Sequence, residues 1–538
     1  MYINNDDTIY APATVPGTGA VSIIRISGKD ALTIADKVIT CKRGNISEAK
    51  GYSIKFGVVR LQDGTVLDEV LASVFRAPHS YTGENSVEIS CHASAYIADT
   101  LMQLLMTAGA RAAGPGEFTQ RAFLNGKMDL AQAEAVADVI ASQNASAHKI
   151  AFKQMKGGFS SELKDMREEL LKIVSLMELE LDFSEEEVEF ADRKQLNALL
   201  ERVLSHISKL IGSFKLGNAI KNGIPVAIAG ATNTGKSTLL NALLGEERAI
   251  VSDVHGTTRD TVEETLNIDG AMFRFIDTAG IRETSETIEK IGIERTFKKI
   301  GEADIILAMV DASRSDKEIE ESLTEVFSKI EPEEQTVTVL MNKVDLMEES
   351  CVQNKTVFIA NLIISLFDKY GINVCVTITD SDKVGELHQS SHNNETRIRD
   401  YVNESDYRNY NKDGHDKSDT TAVSTEQSGK DSIKIPVIRI SAKNKTGIES
   451  LRNILATKSK ALDAGADTTL VTNIRHIEAL TNASTALTRV QNGLACGIPT
   501  DLAAQDIREA LYHIGSIVGE ISTDEVLGNI FRNFCIGK

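Results

Sequence analysis

The 538-residue sequence has only six cysteines, scattered and without a Cys-x-x-Cys pair. That argues against both a disulfide framework and a zinc site. No apolar run approaches the roughly 18–20 residues that a membrane helix needs; the longest, Phe358 to Phe367, is far too short. The opening segment, Met1-Tyr-Ile-Asn-Asn-Asp-Asp7, is polar and acidic, unlike a signal or transit peptide. Positive charge is also scarce: 58 Lys and Arg stand against 77 Asp and Glu, a net charge of −19. A surface that tracks nucleic acid along its length is normally basic. Any RNA contact is therefore expected to be local, or shared with another protein. Together these absences predict a cytoplasmic chain with no membrane span. The composition, 42% hydrophobic and 25% charged, is that of a globular protein, long enough for about three domains.

What is present centres on Gly230-Ala-Thr-Asn-Thr-Gly-Lys-Ser237, which fits G-x-x-x-x-G-K-[ST]. The apolar run Ile224–Ala229 before it is strand-like, and Ser237–Leu244 after it has helical character. A strand, a glycine-containing loop and a helix N-terminus aim backbone N–H groups and a positive dipole end at phosphate. Asn233, Thr234, Gly235, Lys236, Ser237 and Thr238 would line the phosphates. Lys236 would reach the β- and γ-phosphates, and the Ser237 hydroxyl would bind Mg²⁺.

Downstream motifs choose the base. Asp277-Thr278-Ala279-Gly280 ends a strand and matches D-x-x-G. Its Asp would hold Mg²⁺ through water, and the Gly280 N–H would sense the γ-phosphate. Gly256-Thr-Thr-Arg-Asp260 lies between the two motifs, where a first switch belongs, and Thr258 would complete the Mg²⁺ shell. Asn342-Lys343-Val-Asp345 follows another strand; its Asp carboxylate accepts the N1–H and 2-amino hydrogens that guanine has and adenine lacks. Ser441-Ala442-Lys443 would offer a backbone N–H to the guanine O6. Four elements in this order, each at a strand end, predict GTP and GDP as ligands. One residue is missing: the water-orienting Gln that Ras-like proteins place after D-x-x-G is Ile281 here. Glu283, Glu286 and Glu289 are acidic substitutes nearby, and spacing alone does not choose among them.

The flanks are plainer. Residues 1 to about 120 read as a mixed α/β region. In it, Arg25 sits in a strand among isoleucines, and Glu88 in the strand Ser86–Cys91. A charged residue in such a strand is ordinarily an exposed-face residue. From Met128 to about Gly217 the pattern is helical, with Leu170, Ile173, Val174, Met177 and Leu181 at three-and-four spacing and a break expected at Gly157-Gly158. Helical patterns return after about Ala461, so the nucleotide domain reads as inserted into a helical one. Between Glu348 and Ser432 lies an insertion. It opens with a helix (Val357–Leu366) and a strand (Ile372–Thr379), and from Asp380 it reads as a polar, disordered surface loop.

With these motifs in hand, the sequence resembles the MnmE (TrmE) family of tRNA-modification GTPases along nearly its whole length, the 348–432 insertion excepted. The stretches that carry the likeness are Ser80-Tyr-Thr-Gly-Glu84, Pro115-Gly-Glu-Phe-Thr119, Arg121 to Ala135, Ile291-Gly-Ile-Glu-Arg295 and the terminal Phe534-Cys-Ile-Gly-Lys538. The resemblance implies a multidomain α/β plus α architecture. An N-terminal folate-binding and dimerisation domain would span 1–125, and a helical domain 126–219 and 461–538. A P-loop GTPase domain would be inserted at 220–460.

The resemblance further implies a homodimer that works with the flavoprotein MnmG (GidA), in a heterotetramer or larger complex. Together they would install a 5-carboxymethylaminomethyl-type group on wobble uridine of certain tRNAs. The one-carbon unit would come from a 5-formyl- or methylene-tetrahydrofolate held by Arg25, Glu88, Lys127 and Lys538, with Cys535 near that site. It supplies an answer to the missing Gln as well. A K⁺ ion held by Asn233, Ser252, Val254 and Thr257 would stabilise charge on the phosphates, and Glu289 would position water. The sequence departs from the family's phosphate loop at Thr232, in place of Pro, and at Thr234, in place of a small apolar residue. Two rival readings are a ribosome-assembly GTPase and a purely regulatory switch. The first lacks a KH-type basic module, and folate binding by residues 1–125 would separate the second.

Overall fold

In a computed structural model, described residues are 7–182, 193–245, 264–276, 301–331, 334–369, 371–380, 383–388, 397–403, 433–465, 469–496, 500–520, 524–532, 534 and 537. The chain forms two compact units. One comprises Met1–Ser142, Ala147–Phe214 and Thr469–Lys538; the other comprises Gln143–Ser146 and Lys215–Thr468. The second unit is thus an interruption in the sequence of the first.

The first unit opens with a seven-stranded sheet. Its strands are β1 (Ile9–Pro12), β2 (Val21–Ser27), β3 (Ile39–Cys41), β4 (Ser53–Arg60), β5 (Val66–Phe75), β6 (Ser86–His92) and β7 (Arg111–Ala112). Their order is β3-β4-β5-β6-β2-β1-β7, antiparallel except for the β1–β7 pair. Side chains alternate across a strand, so Ile24 and Ile26 of β2, and Val87 and Ile89 of β6, point to one face. There they meet Leu32 and Ala35 of helix Ala31–Val38 and Leu101 and Leu105 of helix Ala95–Ala108. Arg25 and Glu88 fall on the opposite face, directly across from each other in the β2–β6 register.

Later in the same unit, helices Gly158–Asp182, Arg193–Gly212, Ile474–Ala495 and Thr500–Val518 share one core. Leu170, Ile173, Val174 and Met177 are buried in it as their spacing predicts, while the Leu181 side chain lies outside the described residues. Gly157 turns the chain between two helices with φ of 87°, a conformation that favours glycine. Helices from both halves of the chain complete this core, which neither half supplies alone.

The second unit is a nine-stranded sheet. Its strands are β8 (Ile224–Ala229), β9 (Glu264–Ile268), β10 (Ala271–Phe275), β11 (Ile305–Asp311), β12 (Thr336–Asn342), β13 (Val374–Asp380), β14 (Lys383–His388), β15 (Arg397–Asn403) and β16 (Ile433–Arg439). The order is β15-β14-β13-β16-β12-β11-β8-β10-β9. Parallel strands β8, β11, β12 and β16 are buried on both faces, as a doubly wound sheet requires. Val226 and Ile228 of β8 meet helices Lys236–Leu244 and Ile448–Gly465, whereas Ala227 and Ala229 meet the layer of helices Asp316–Phe327 and Glu349–Asp368. This is the mixed architecture expected from the sequence.

The insertion departs from expectation. Its opening helix is longer than the apolar run suggested, Glu349–Asp368, and the sheet continues beyond β13 through the antiparallel strands β14 and β15. The tract from Asp380 is therefore not loop throughout. Lys383–His388 and Arg397–Asn403 are recruited by the open edge of β13, whose ladder partners outweigh a weak local hydrophobic pattern. By length and composition, Glu349–Asp368 is apolar enough to cross a membrane. In the fold its Ile359, Ala360, Ile363 and Phe367 pack into the core under β11 to β13.

Candidate functional site

The phosphate loop runs from the end of β8 into helix Lys236–Leu244. Gly230 has φ of 149°, and a Cβ there would meet the Met309 carbonyl oxygen at 2.1 Å. Gly235 has φ of 101°, and a Cβ there would sit 2.4 Å from Asn342 Nδ2. Only glycine admits this backbone path. Asn233 also takes a left-handed conformation, with φ of 62°, and is exposed at the loop tip. The Lys236 ammonium curls over the loop and donates to the carbonyls of Gly230 and Ala231, each at 2.8 Å. Burial lowers its pKa. Ser237 is half-buried at the helix start and Thr238 is exposed beside it. Thr234 is buried and donates its hydroxyl to the Ala231 carbonyl at 2.9 Å, so the larger residue is accommodated without an unpaired polar group.

The base-recognition residues lie at the ends of neighbouring strands. Asn342, at the end of β12, is 2% exposed, and its side chain joins two other motifs. Its amide donates to the Thr234 carbonyl at 2.7 Å, and its oxygen accepts the Ala442 N–H at 2.9 Å. Asn342, expected among the nucleotide-binding residues, thus braces the phosphate loop against Ser441-Ala-Lys443. Lys343 follows with φ of 65° and donates to Asp311 at 2.7 Å. Burial pushes the Asp311 carboxyl up, but hydrogen bonds from Lys343 and then Ser313 prevail and hold it below the usual range. Asp311 was not foreseen; its only sequence signal is an acid at the end of a buried strand. Asp345 and Lys443 are exposed, whereas Ser441 and Ala442 are buried. Ser441 closes its loop by backbone bonds to and from Thr446. The phosphate-binding loop after β8 and the base-binding loops after β12 and β16 thus emerge at the carboxyl ends of parallel strands on either side of β11, where doubly wound sheets place ligands.

A second constellation lies on the other face of the N-terminal sheet, where Phe118 and Tyr81 pack over β1. Arg25 Nε donates to Glu88 Oε1 at 2.9 Å, and Nη2 lies 2.8 Å from the same oxygen. The guanidinium carbon stands 5.3 Å from the Tyr81 ring centroid and 5.7 Å from that of Phe118, within cation–π range. Tyr81 is fixed by a 2.8 Å hydroxyl contact with Thr119. Lys127 is exposed, donates to the Pro78 carbonyl at 3.0 Å and packs its stem against Gly83, in the loop that carries Tyr81. Gly537 lies so close to Pro12 that a Cβ on it would be 2.0 Å from the Pro12 carbonyl oxygen. Pro12 neighbours Ala11, the residue paired with Arg25 across β1–β2.

Other residues of the N-terminal motifs turn inward. Arg121 is 1% exposed and donates to Asp7 Oδ1 at 2.6 Å, Glu117 Oε1 at 3.0 Å and Glu84 Oε1 at 3.2 Å. Ser27 donates to Glu84 at 2.6 Å. Glu84, Glu117 and Arg121 therefore form the frame that holds the Tyr81 loop and helix Glu117–Leu124, which carries Phe118, in place.

Comparison with known proteins decides the family. Residues 8–127 match the family described as GTP-binding protein TrmE N-terminus, and residues 130–535 match the MnmE helical domain. The chain is 45% identical over 534 residues to a tRNA modification GTPase MnmE of Parabacteroides distasonis, covering 99% of this chain and 100% of the relative. A protein of the same name from Bacteroides thetaiotaomicron is 46% identical over 537 residues, at 99% and 100% coverage. The chain belongs to the MnmE family of tRNA modification GTPases. Among solved structures, a GTP-binding protein from Sulfolobus solfataricus in complex with GDP is 15% identical. It covers 56% of this chain and 67% of its own, at a TM-score of 0.24, too low to bear on the fold.

For an MnmE-family GTPase, several expected residues lie outside those described: Ser252, Val254, Thr257, Thr258, Asp277, Thr278, Ala279, Gly280, Glu289, Cys535 and Lys538. Of the K⁺ set only Asn233 is described, and of the Mg²⁺ set only Ser237.

Proposed function

We propose that the chain is a K⁺-activated GTPase whose N-terminal domain binds a tetrahydrofolate derivative. It would act on tRNA as a homodimer, in the cytoplasm, with a flavoprotein of the MnmG (GidA) type. The observation that carries the nucleotide reading is the Asn342 brace. One side chain ties the phosphate loop to the Ser441–Lys443 loop, so phosphate and guanine are gripped by a single rigid edge. At Gly230 and Gly235 the loop packs directly against the Met309 carbonyl and the Asn342 amide, so only glycine keeps the backbone path that would turn its N–H groups to phosphate. Lys236, now on loop carbonyls, exchanges them for the β- and γ-phosphates, and Ser237 offers its hydroxyl to Mg²⁺. Asp345 receives the N1–H and 2-amino hydrogens of guanine. K⁺, held by Asn233, Ser252, Val254 and Thr257, supplies positive charge beside the phosphates. Glu289 orients water where Ile281 offers no polar group.

Support for the folate reading is chemical. Arg25 between two aromatic rings, with Glu88 beside it, suits a planar, amino-bearing heterocycle. Exposed Lys127 suits an anionic tail, and Lys538 follows Gly537, which is packed on β1. In this reading Cys535 serves the modification chemistry at that end. The product is a 5-carboxymethylaminomethyl-type wobble uridine, with the one-carbon unit from the folate.

The deciding test compares GTP hydrolysis in KCl and NaCl at matched ionic strength, with Glu289→Ala alongside. Hydrolysis fast only in K⁺ and lost in the variant is the expected result. Equal slow rates in both salts would remove the ion-assisted mechanism and favour a purely regulatory switch.

A further inference from the structure

The insertion helix Glu349–Asp368 and strand β16 meet at an internal contact that the GTPase motifs do not include. Arg439, the last residue of β16, is 8% exposed. Its Nε donates to Thr356 Oγ1 at 3.1 Å, and its Nη1 donates to Glu349 Oε1 at 3.1 Å. Thr356 is itself 1% exposed. It spends its hydroxyl proton on the Val352 carbonyl at 2.7 Å, which leaves an oxygen lone pair for Arg439; its oxygen also lies 3.6 Å from Met341 Sδ. In the sheet Met341 is the ladder partner of Arg439. One residue beyond Met341 stands Asn342, and two beyond Arg439 stands Ser441. The Arg439 carbonyl lies where a Cβ on Gly447 would approach to 2.1 Å, so the loop after Ser441 folds directly onto it.

We propose that Arg439, Thr356 and Glu349 form a clamp through which the insertion helix positions the guanine-recognition loops. This helix is in that sense a supporting part of the nucleotide site. The proposal rests on the reading of Asn342, Asp345 and Ser441–Lys443 as the guanine site. A buried guanidinium needs directional acceptors at both its Nε and its Nη1 edges. Thr356 and Glu349 provide them from one helix, fixing the rotation of β16 against β12 at the point where both strands release their loops. Asp345, four residues before Glu349 in a separate 3-10 turn (Val344–Leu346), then meets the guanine 2-amino group at a fixed distance. Arg439, Thr356 and Glu349 are positioning residues; their effect reaches the base through the two loops.

The test uses the full-length protein and two fluorescent nucleotides, N-methylanthraniloyl GDP and IDP. Inosine lacks the 2-amino group that Asp345 would accept. Thr356→Val preserves shape and removes the acceptor; Thr356→Ser keeps the acceptor and removes a methyl group. We expect Thr356→Val to weaken GDP binding about tenfold and IDP binding less, narrowing the GDP preference. Thr356→Ser should restore that preference. A role in packing alone predicts the reverse order, with Val neutral and Ser weakened, and that result would overturn the clamp. Should Thr356→Val fail to fold, Glu349→Ala at the exposed end of the contact gives the same readout: about a twofold to threefold loss for GDP supports the clamp, and no change rejects it. If the wild-type chain itself does not distinguish GDP from IDP, the guanine-site reading fails first, which separates that failure from failure of the clamp.

Discussion

The two units of this chain use motif residues in opposite ways. In the nucleotide unit the motif residues sit where strands end. Asn233, Ser237, Asp345 and Lys443 stay at least partly exposed at those ends, while buried Asn342 braces the loops from within. In the N-terminal sheet most motif residues turn inward. Arg121, Glu84 and Glu117 are consumed in a buried network, while Arg25, Glu88 and Lys127 are among the described motif residues left at least partly outward. A conspicuous residue pattern therefore marks a ligand site in one unit and mainly the scaffold of a site in the other. The physical reason is backbone supply. A phosphate loop provides its own donors at a helix N-terminus, whereas a sheet face provides none and must have side chains held rigidly around it.

The largest effect that would break this contrast is expected at Arg121. Arg121→Met leaves Glu84 without its cation and Asp7 and Glu117 with Arg111 alone. Breaking such a buried network costs about 3–5 kcal/mol. Calorimetry should show early melting of the N-terminal unit, while guanine-nucleotide binding by the other unit persists. Simultaneous loss of nucleotide binding would show that the two units do not behave separately.

Next is the acid limb of stability. Glu134 accepts Arg475 Nε at 3.0 Å and Arg475 Nη2 at 2.9 Å, and lies 2.7 Å from His476 Nε2. Burial pushes its carboxyl up, yet the His476 and Arg475 contacts prevail and hold the pKa at about 2, against 4.5 for an ordinary Glu. Because the folded value is the lower one, the stabilisation is complete above about pH 5 and drains away as pH falls toward 2. At roughly 1.4 kcal/mol per unit it amounts to ~3 kcal/mol. Glu134→Gln should flatten the loss of unfolding free energy of the first unit between pH 5 and 3. An unchanged slope would mean the pair carries no linkage.

At the nucleotide end, Lys236→Ala should lower kcat/KM for GTP about 100-fold or more, ~2.7 kcal/mol of transition-state stabilisation, with little shift in Tm. A large Tm change would instead assign Lys236 to the scaffold. The smallest stability effect is expected at the outward pair. Arg25 and Glu88 are partly exposed, so Arg25→Ala should cost under about 1 kcal/mol. The same change should abolish binding of 5-formyltetrahydrofolate measured by calorimetric titration and leave GTP hydrolysis unchanged. Retained folate binding would return Arg25 to an ordinary exposed-face role.

The sequence by itself determined the elements whose geometry is local. The phosphate loop, Asn342–Asp345 and Ser441–Lys443 are short contiguous runs, each coupled to a strand end by backbone conformation. The helical face at Leu170, Ile173, Val174 and Met177 announced itself through spacing alone. Resemblance pointed to Arg25 and Glu88, but tertiary structure decided that they pair across 63 positions of sequence, through the β2–β6 register. It likewise decided that Asn342 braces two loops, that Arg439 reaches Thr356, and that the polar tract after Asp380 supplies two further strands to an open edge. No periodicity encodes these contacts. Each depends on which strand lies beside which, and strand order follows from the energetics of the whole sheet and its two helical layers.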